Sequence, residues 1–126
     1  MDRTRLSSER IPPAIGPYSQ AIRAGGFIFC SGIVALSPDT GSLIEGGIEA
    51  EVRQALDNLS ALLEDVGSSL EAVVKTTVFL ADIADFPLFN DIYAGYFPSD
   101  PPARSTVQVA ALPLGARIEV EAIALA

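Results

Sequence analysis

The chain contains no histidine, no tryptophan and only one cysteine among its 126 residues. Without histidine, the usual acid–base group of neutral pH and the commonest metal ligand are both missing. A single cysteine, Cys30, excludes a disulfide within the chain. It lies in the apolar run GGFIFCSG and reads as an inert buried thiol. Charge is scarce too: 19% of residues are charged, against the usual share of about 25%. Acids outnumber bases 16 to 8, for a formal net charge of −8, and Lys75 is the only lysine. That field repels phosphate backbones. With no basic run and no zinc-finger spacing, nucleic acid is not an expected partner. There is no GxGxxG and no Walker loop, and Gly25-Gly26 and Gly46-Gly47 are too short to cradle phosphates. Neither a cofactor nor a bound metal is expected. No apolar run approaches the roughly 20 residues needed to cross a bilayer. The opening MDRTRLSSER lacks the apolar core of a signal peptide. The expectation is a cytoplasmic protein with no membrane partner.

What is present is a high apolar share, 49%, in a length that suits one domain spanning residues 1–126. A small domain this poor in charge is expected to hide part of its surface in an oligomer. Residues 1–16 are polar, then proline-rich, and read as a loop. Ala21 to Arg23 begins a strand, Gly25-Gly26 is a turn, and FIFC is the next strand. SPDTG is a turn. From Ile48 to Val66, apolar residues recur at helical spacing, with Glu49, Glu51, Arg53, Asp57 and Glu64 placed largely on the opposite face. Gly67 is a stop signal. VVKTTVFLA is a strand whose near-continuous apolar character predicts cover on both faces. Phe86, Phe89, Asn90, Tyr93 and Phe97 mark a second helix, and STVQVAA and RIEVEAIALA are the closing strands. The predicted class is α+β: a mixed sheet with two helices packed on one face. Its other face then has no helix to cover it and needs a partner.

Few residues offer chemistry. Glu119 and Glu121 alternate with Ile118, Val120 and Ala122, so the two carboxylates share one strand face. Arg104 sits just upstream, where its guanidinium can grip a carboxylate bidentately. Placed on neighbouring strands, the two kinds of group would bind a small anionic substrate and activate water beside it. A glutamate in a semi-apolar cleft has its pKa raised toward neutrality, which suits proton transfer. Tyr18 follows the rigid Pro17 and can line a pocket. The Asn90 amide sits on an apolar helix face and needs a partner, in the protein or on a ligand. Ser31 and Gly32 end a strand, where glycine permits close approach. Arg117 and Lys75 read as structural or surface cations.

Taken together, AIGPYSQA at 14–21, FCSG at 29–32, QALDNL at 54–59, VVKTTVFL at 73–80, FNDIY at 89–93 and PARSTVQVAALPLGARIEVEAIA at 102–124 resemble the RidA/YjgF/UK114 family of enamine and imine deaminases. The resemblance runs from about residue 10 to 125. It implies a chorismate-mutase-like α+β fold and a homotrimer with sites between subunits. It also implies hydrolysis of 2-aminoacrylate, 2-iminopropanoate or 2-iminobutanoate to a 2-keto acid and ammonia, without a cofactor. The implied substrate is thus a small carboxylate-bearing imine or enamine. On the matching positions, Arg104 is the carboxylate clamp and Glu119 the proton-transfer group. Tyr18, Ser31, Gly32, Phe86 and Asn90 are pocket residues. Two positions depart from the common pattern. Ile33 stands where many members have glutamine, and Thr106 where many have cysteine. Ile33 bears on substrate preference more than on the reaction; the alternative readings are a larger substrate such as 2-aminomuconate, or a ligand-binding trimer without turnover.

Overall fold

Alternation of apolar and polar residues fixes which sheet face is buried, and two helices cover that face. A computed structural model describes residues 1–126. Strands β1 (Arg3–Leu6), β2 (Ala21–Ala24) and β3 (Phe27–Ile33) precede helix α1 (Gly47–Asp65). Strand β4 (Val73–Leu80), helix α2 (Phe86–Tyr96), strand β5 (Ala103–Gln108) and strand β6 (Ile118–Leu125) complete the chain. The sheet order is β1-β2-β3-β6-β4-β5. All pairings are antiparallel except β4 with β5, which run parallel because α2 carries the chain back between them. The α+β class with two helices on a mixed sheet is as expected.

Local chemistry explains the boundaries. Gly25 and Gly26 both have positive φ, 58° and 81°, which closes β2 and β3 into a two-residue hairpin of the type that matches strand twist. Helix α1 is closed by Gly67, φ 88°, two residues past its last helical residue. There the Ser68 amide donates to the Leu63 carbonyl and the Gly67 amide to that of Glu64, the paired closure glycine permits. Pro87 opens α2 and Pro98 lies just past its end, as proline chemistry requires.

The core lies between the helices and one sheet face. Leu56, Leu59, Leu62 and Leu63 of α1, Phe89 of α2, Val78 and Leu80 of β4, and Ile118 and Val120 of β6 are wholly buried. Cys30 is buried, as its surroundings predict, and that burial pushes its thiol up to about 12.

Three expectations need correction. Residues 3–6, read as loop, form the edge strand β1. Its exposed Arg3, Thr4 and Arg5 carry no apolar alternation, and its pairing with β2 supplies the order. Charged residues are also what a free edge needs to resist aggregation. Strand β4 is central but covered on one face only. Thr76, Val78 and Leu80 are buried, while Lys75, Thr77 and Phe79 are half-buried on the face without helices. Glu51, assigned to the solvent face of α1, is wholly buried. Its carboxylate accepts from the Arg117 amide at 2.9 Å and the Arg117 guanidinium at 2.7 Å. This pair ties α1 to the start of β6. Arg117→Ala leaves the carboxylate buried with only one donor and should destabilise the fold by about 3–5 kcal/mol. Urea denaturation of both proteins measures that loss directly.

The face opposite the helices presents Phe27 and Phe29, with rings 6.4 Å apart. Ile123, paired with Phe29 across the strands, extends this apolar strip. The polar residues Lys75, Thr77, Glu119 and Glu121 share the same face.

Candidate functional site

The predicted site residues separate into two groups that lie on opposite faces of the sheet. The expected placement of Arg104 and Glu119 on neighbouring strands does not hold. Strand β4 lies between β5 and β6. Arg104 is in register with Thr76, which faces the helices, whereas Glu119 is in register with Phe79, which faces away. Two strand spacings and a sheet thickness therefore separate the groups within one chain.

The first group is built on β5 and α2. The Arg104 guanidinium lies over three aromatic rings, 4.8 Å from the centre of Tyr93, 5.3 Å from Phe89 and 5.4 Å from Phe86. The spacing 86, 89, 93 places these rings on one face of α2. The ring faces attract the cation and hold it without neutralising it. The structure's ion pairs use Arg10, Arg53 and Arg117. Arg104 is in none of them, so its fork is available to an anion. Tyr93 is fixed in turn by a 2.8 Å hydrogen bond with Thr76. Burial raises the Tyr93 pKa, so the ring remains a neutral phenol, although the Thr76 bond and the Arg104 charge act the other way. Asn90 is half-buried on the same helix. Thr106, two residues beyond Arg104, holds a buried hydroxyl with no hydrogen-bond partner. Strand β5 ends the sheet, so this incomplete polar patch lies at an edge that another molecule can approach.

The second group is built on β3, β6 and the loop before β2. Gly32 packs directly on Glu119: a Cβ at position 32 would lie 2.7 Å from the carboxyl carbon. A larger residue there would push the Glu119 carboxyl aside from this position. The half-buried Glu119 carboxyl has its pKa raised, chiefly by loss of hydration and secondarily by the nearby Glu121 charge. Glu121 itself is exposed. Tyr18, Ser31 and Gly32 line one cleft together. The Ser31 amide donates to the Gln20 carbonyl and its hydroxyl to the Ser19 carbonyl at 2.6 Å. Ser31 therefore offers lone pairs rather than free donors. Tyr18 is exposed, with its phenol open to a ligand.

The structure thus gives an unpaired cation on the helix side of the sheet and, on the open face, a carboxylate of raised pKa packed against Gly32. Sequence reasoning missed the aromatic floor beneath Arg104, although the helical spacing of Phe86, Phe89 and Tyr93 was visible. It also missed the buried Glu51 anchor. No apolar pattern marks that position, because Glu51 is held in the interior by its pairing with the distant Arg117 rather than by local sequence.

Comparison with known proteins bears on this geometry. The Endoribonuclease L-PSP family model matches residues 8–126. Reactive Intermediate Deaminase A, chloroplastic, of Arabidopsis thaliana is 51% identical over 119 residues, covering 94% of this chain and 64% of that protein. The 2-iminobutanoate/2-iminopropanoate deaminase of Mus musculus is 50% identical over 123 residues, covering 98% of this chain and 91% of that protein. Among solved structures, E. coli TdcF with bound serine superposes with a TM-score of 0.92 at 36% identity, covering 98% of each chain. The chain therefore belongs to the RidA/YjgF/UK114 family, the Endoribonuclease L-PSP family of the matching model.

Proposed function

We propose that the chain is an enamine/imine deaminase that works as a homotrimer, with each site formed where two copies meet. The observation that carries this reading is the division of the candidate residues between opposite sheet faces. Arg104 is unpaired at a sheet edge, and Glu119 is poised on a face that no helix covers. Apposing the edge of one copy with the open face of the next joins the two halves. It also covers Phe27 and Phe29, which are 39% and 43% exposed in a single chain, an arrangement that favours association. The identity to deaminases over nearly the whole chain supports the chemistry. The serine bound to E. coli TdcF carries the α-carboxylate that Arg104 is suited to clasp.

The substrate is 2-iminopropanoate, 2-iminobutanoate or the enamine that tautomerises to either by protonation at carbon. Arg104 pairs with the substrate carboxylate through two parallel hydrogen bonds. Phe86 and Asn90 border that end of the site, and Tyr18, Ser31 and Gly32 the other. Glu119 takes a proton from water as the water oxygen bonds to the imine carbon, and passes it to the imine nitrogen, which becomes the amine of a carbinolamine. Glu119 then takes the hydroxyl proton as that oxygen becomes the keto oxygen, and delivers it to the leaving nitrogen as the carbon–nitrogen bond breaks and ammonia departs. Every proton is accounted for by water and Glu119, so neither metal nor covalent nucleophile enters a step. Holding the reactants in place supplies much of the remaining rate.

The raised pKa of Glu119 sets the pH dependence. The base form grows as pH rises through a value above the ordinary carboxylate range, so kcat/KM has an acid limb there. Glu121→Gln removes the like charge and should move that limb to lower pH. The direct test is release of keto acid and ammonia from freshly generated 2-iminopropanoate, with semicarbazide as competing trap. Acceleration by the wild type, with an acid limb displaced in Glu121→Gln, is the expected result. No acceleration by the assembled trimer would refute the reading.

A further inference from the structure

The rings of Phe86, Phe89, Tyr93 and Phe97 run along α2 to its cap, with successive centres 6.4, 5.1 and 4.5 Å apart. Tyr93 alone among them carries a polar atom, and that atom ties the column to the sheet. Its hydroxyl is 2.8 Å from the hydroxyl of Thr76 on β4. Thr76 is wholly buried and Tyr93 nearly so. In the parallel register of β4 and β5, Thr76 is the partner of Arg104, so the two side chains stand beside each other on the helix side of the sheet. Tyr93 is also the ring nearest the guanidinium, at 4.8 Å. Strand register thus sets Thr76 beside Arg104, the hydrogen bond sets Tyr93 on Thr76, and the Tyr93 ring holds the cation. The core does not need this hydrogen bond. Valine and phenylalanine would fill the same space with no polar group to bury, and replacing both partners of a buried hydrogen bond by apolar groups of the same shape is nearly neutral for stability or favourable. What the bond adds is direction. It fixes the tilt of the ring, and a cation is attracted over the ring face. Arg104 makes no ion pair that would aim it otherwise.

We propose that Thr76 and Tyr93 are a positioning pair for the Arg104 clamp, and that their hydrogen bond aims the guanidinium fork at the substrate carboxylate. The assignment rests on the deaminase reading, and both residues act through Arg104. A fork grips a carboxylate with two bonds only when plane and direction match. A guanidinium over a loosened ring keeps its charge but presents the fork correctly for less of the time. The carboxylate takes no part in the bond changes, so substrate and transition state lose equally. The loss therefore falls on KM rather than kcat.

The test is the double variant Thr76→Val with Tyr93→Phe, which keeps the ring and the packing but lacks both hydroxyls. Its urea midpoint should stay close to that of wild type, while KM for 2-iminopropanoate rises about tenfold with kcat little changed. A merely structural role predicts the opposite, activity restored along with stability. Thr76→Ser keeps a hydroxyl and should keep the wild-type KM. In an Arg104→Ala background the same two substitutions should change kcat/KM less than about twofold, because the group they aim is gone. Tyr93→Phe alone leaves the Thr76 hydroxyl without its partner and should show the same rise in KM at a lower urea midpoint. It decides the matter where the double variant does not fold. A wild-type KM in the folded variants, or an equal loss with and without Arg104, overturns the positioning role and leaves the deaminase standing. No acceleration of any imine by wild type overturns the deaminase reading, and the positioning role with it.

Discussion

Replacing Arg104 by alanine is expected to lower kcat/KM for 2-iminopropanoate about 100- to 1000-fold while the protein stays folded, the counterpart of about 3–4 kcal/mol of binding at the transition state. The two halves of that expectation have separate causes. Arg104 is absent from every ion pair, so its removal leaves no orphaned charge. What the fold loses is its contact with the rings of Phe86, Phe89 and Tyr93, each worth about 0.5–1 kcal/mol at a partly exposed site. The substrate, in contrast, loses the only group placed to grip its carboxylate. Lysine at this position should rescue little, because an ammonium lacks the planar fork. The contrast with Arg117 is the control: Arg117→Ala costs stability through Glu51, while Arg104→Ala costs turnover. Steady-state rates and urea denaturation of both variants separate the two roles. An Arg104→Ala protein that is folded and fully active removes the carboxylate clamp.

Glu119→Gln is the second large effect. General acid–base catalysis commonly contributes about 100- to 10,000-fold, and a loss of about 100-fold or more in kcat with KM little changed is expected. The amide keeps the size of the carboxyl, so the contact with Gly32 survives and assembly should persist. Stability should move the other way. The folded protein holds the Glu119 proton more tightly than an unfolded chain does, because burial and Glu121 raise its pKa. The stability linked to that proton is complete below the unfolded value and is lost as pH rises through the folded one. Glutamine has no proton to lose, so the variant should be slightly more stable than wild type at neutral pH. Thermal unfolding at acid and neutral pH checks the sign.

Much of the architecture was legible in the residues. The helical recurrence from Ile48 to Val66, the glycine stops and the alternation in RIEVEAIALA each follow from local physics. Tertiary pairing gave what local pattern does not carry. Strand β1 has no apolar alternation and exists because β2 offers it a free edge. Strand β4 looked buried on both sides because Thr77 and Phe79 suit a half-covered face as well as a buried one. The candidate residues were identifiable from motif positions, but their arrangement was not. Alternation places Glu119 and Glu121 on one face correctly. It cannot reveal that β4 inserts between β5 and β6, or that Arg104 faces the helices. In the proposed trimer, that topology is the reason a second copy would complete the site.

Mixed trimers test this requirement directly. Arg104→Ala and Glu119→Gln are each expected to be nearly inactive alone. Co-expressed in equal amounts, they assemble at random. If each site takes Arg104 from one copy and Glu119 from its neighbour, roughly a quarter of the sites carry both intact groups. Recovery of roughly a quarter of wild-type imine hydrolysis is the predicted result. Mixed trimers no more active than the separate variants would contradict it, since that outcome requires both groups to act from a single chain.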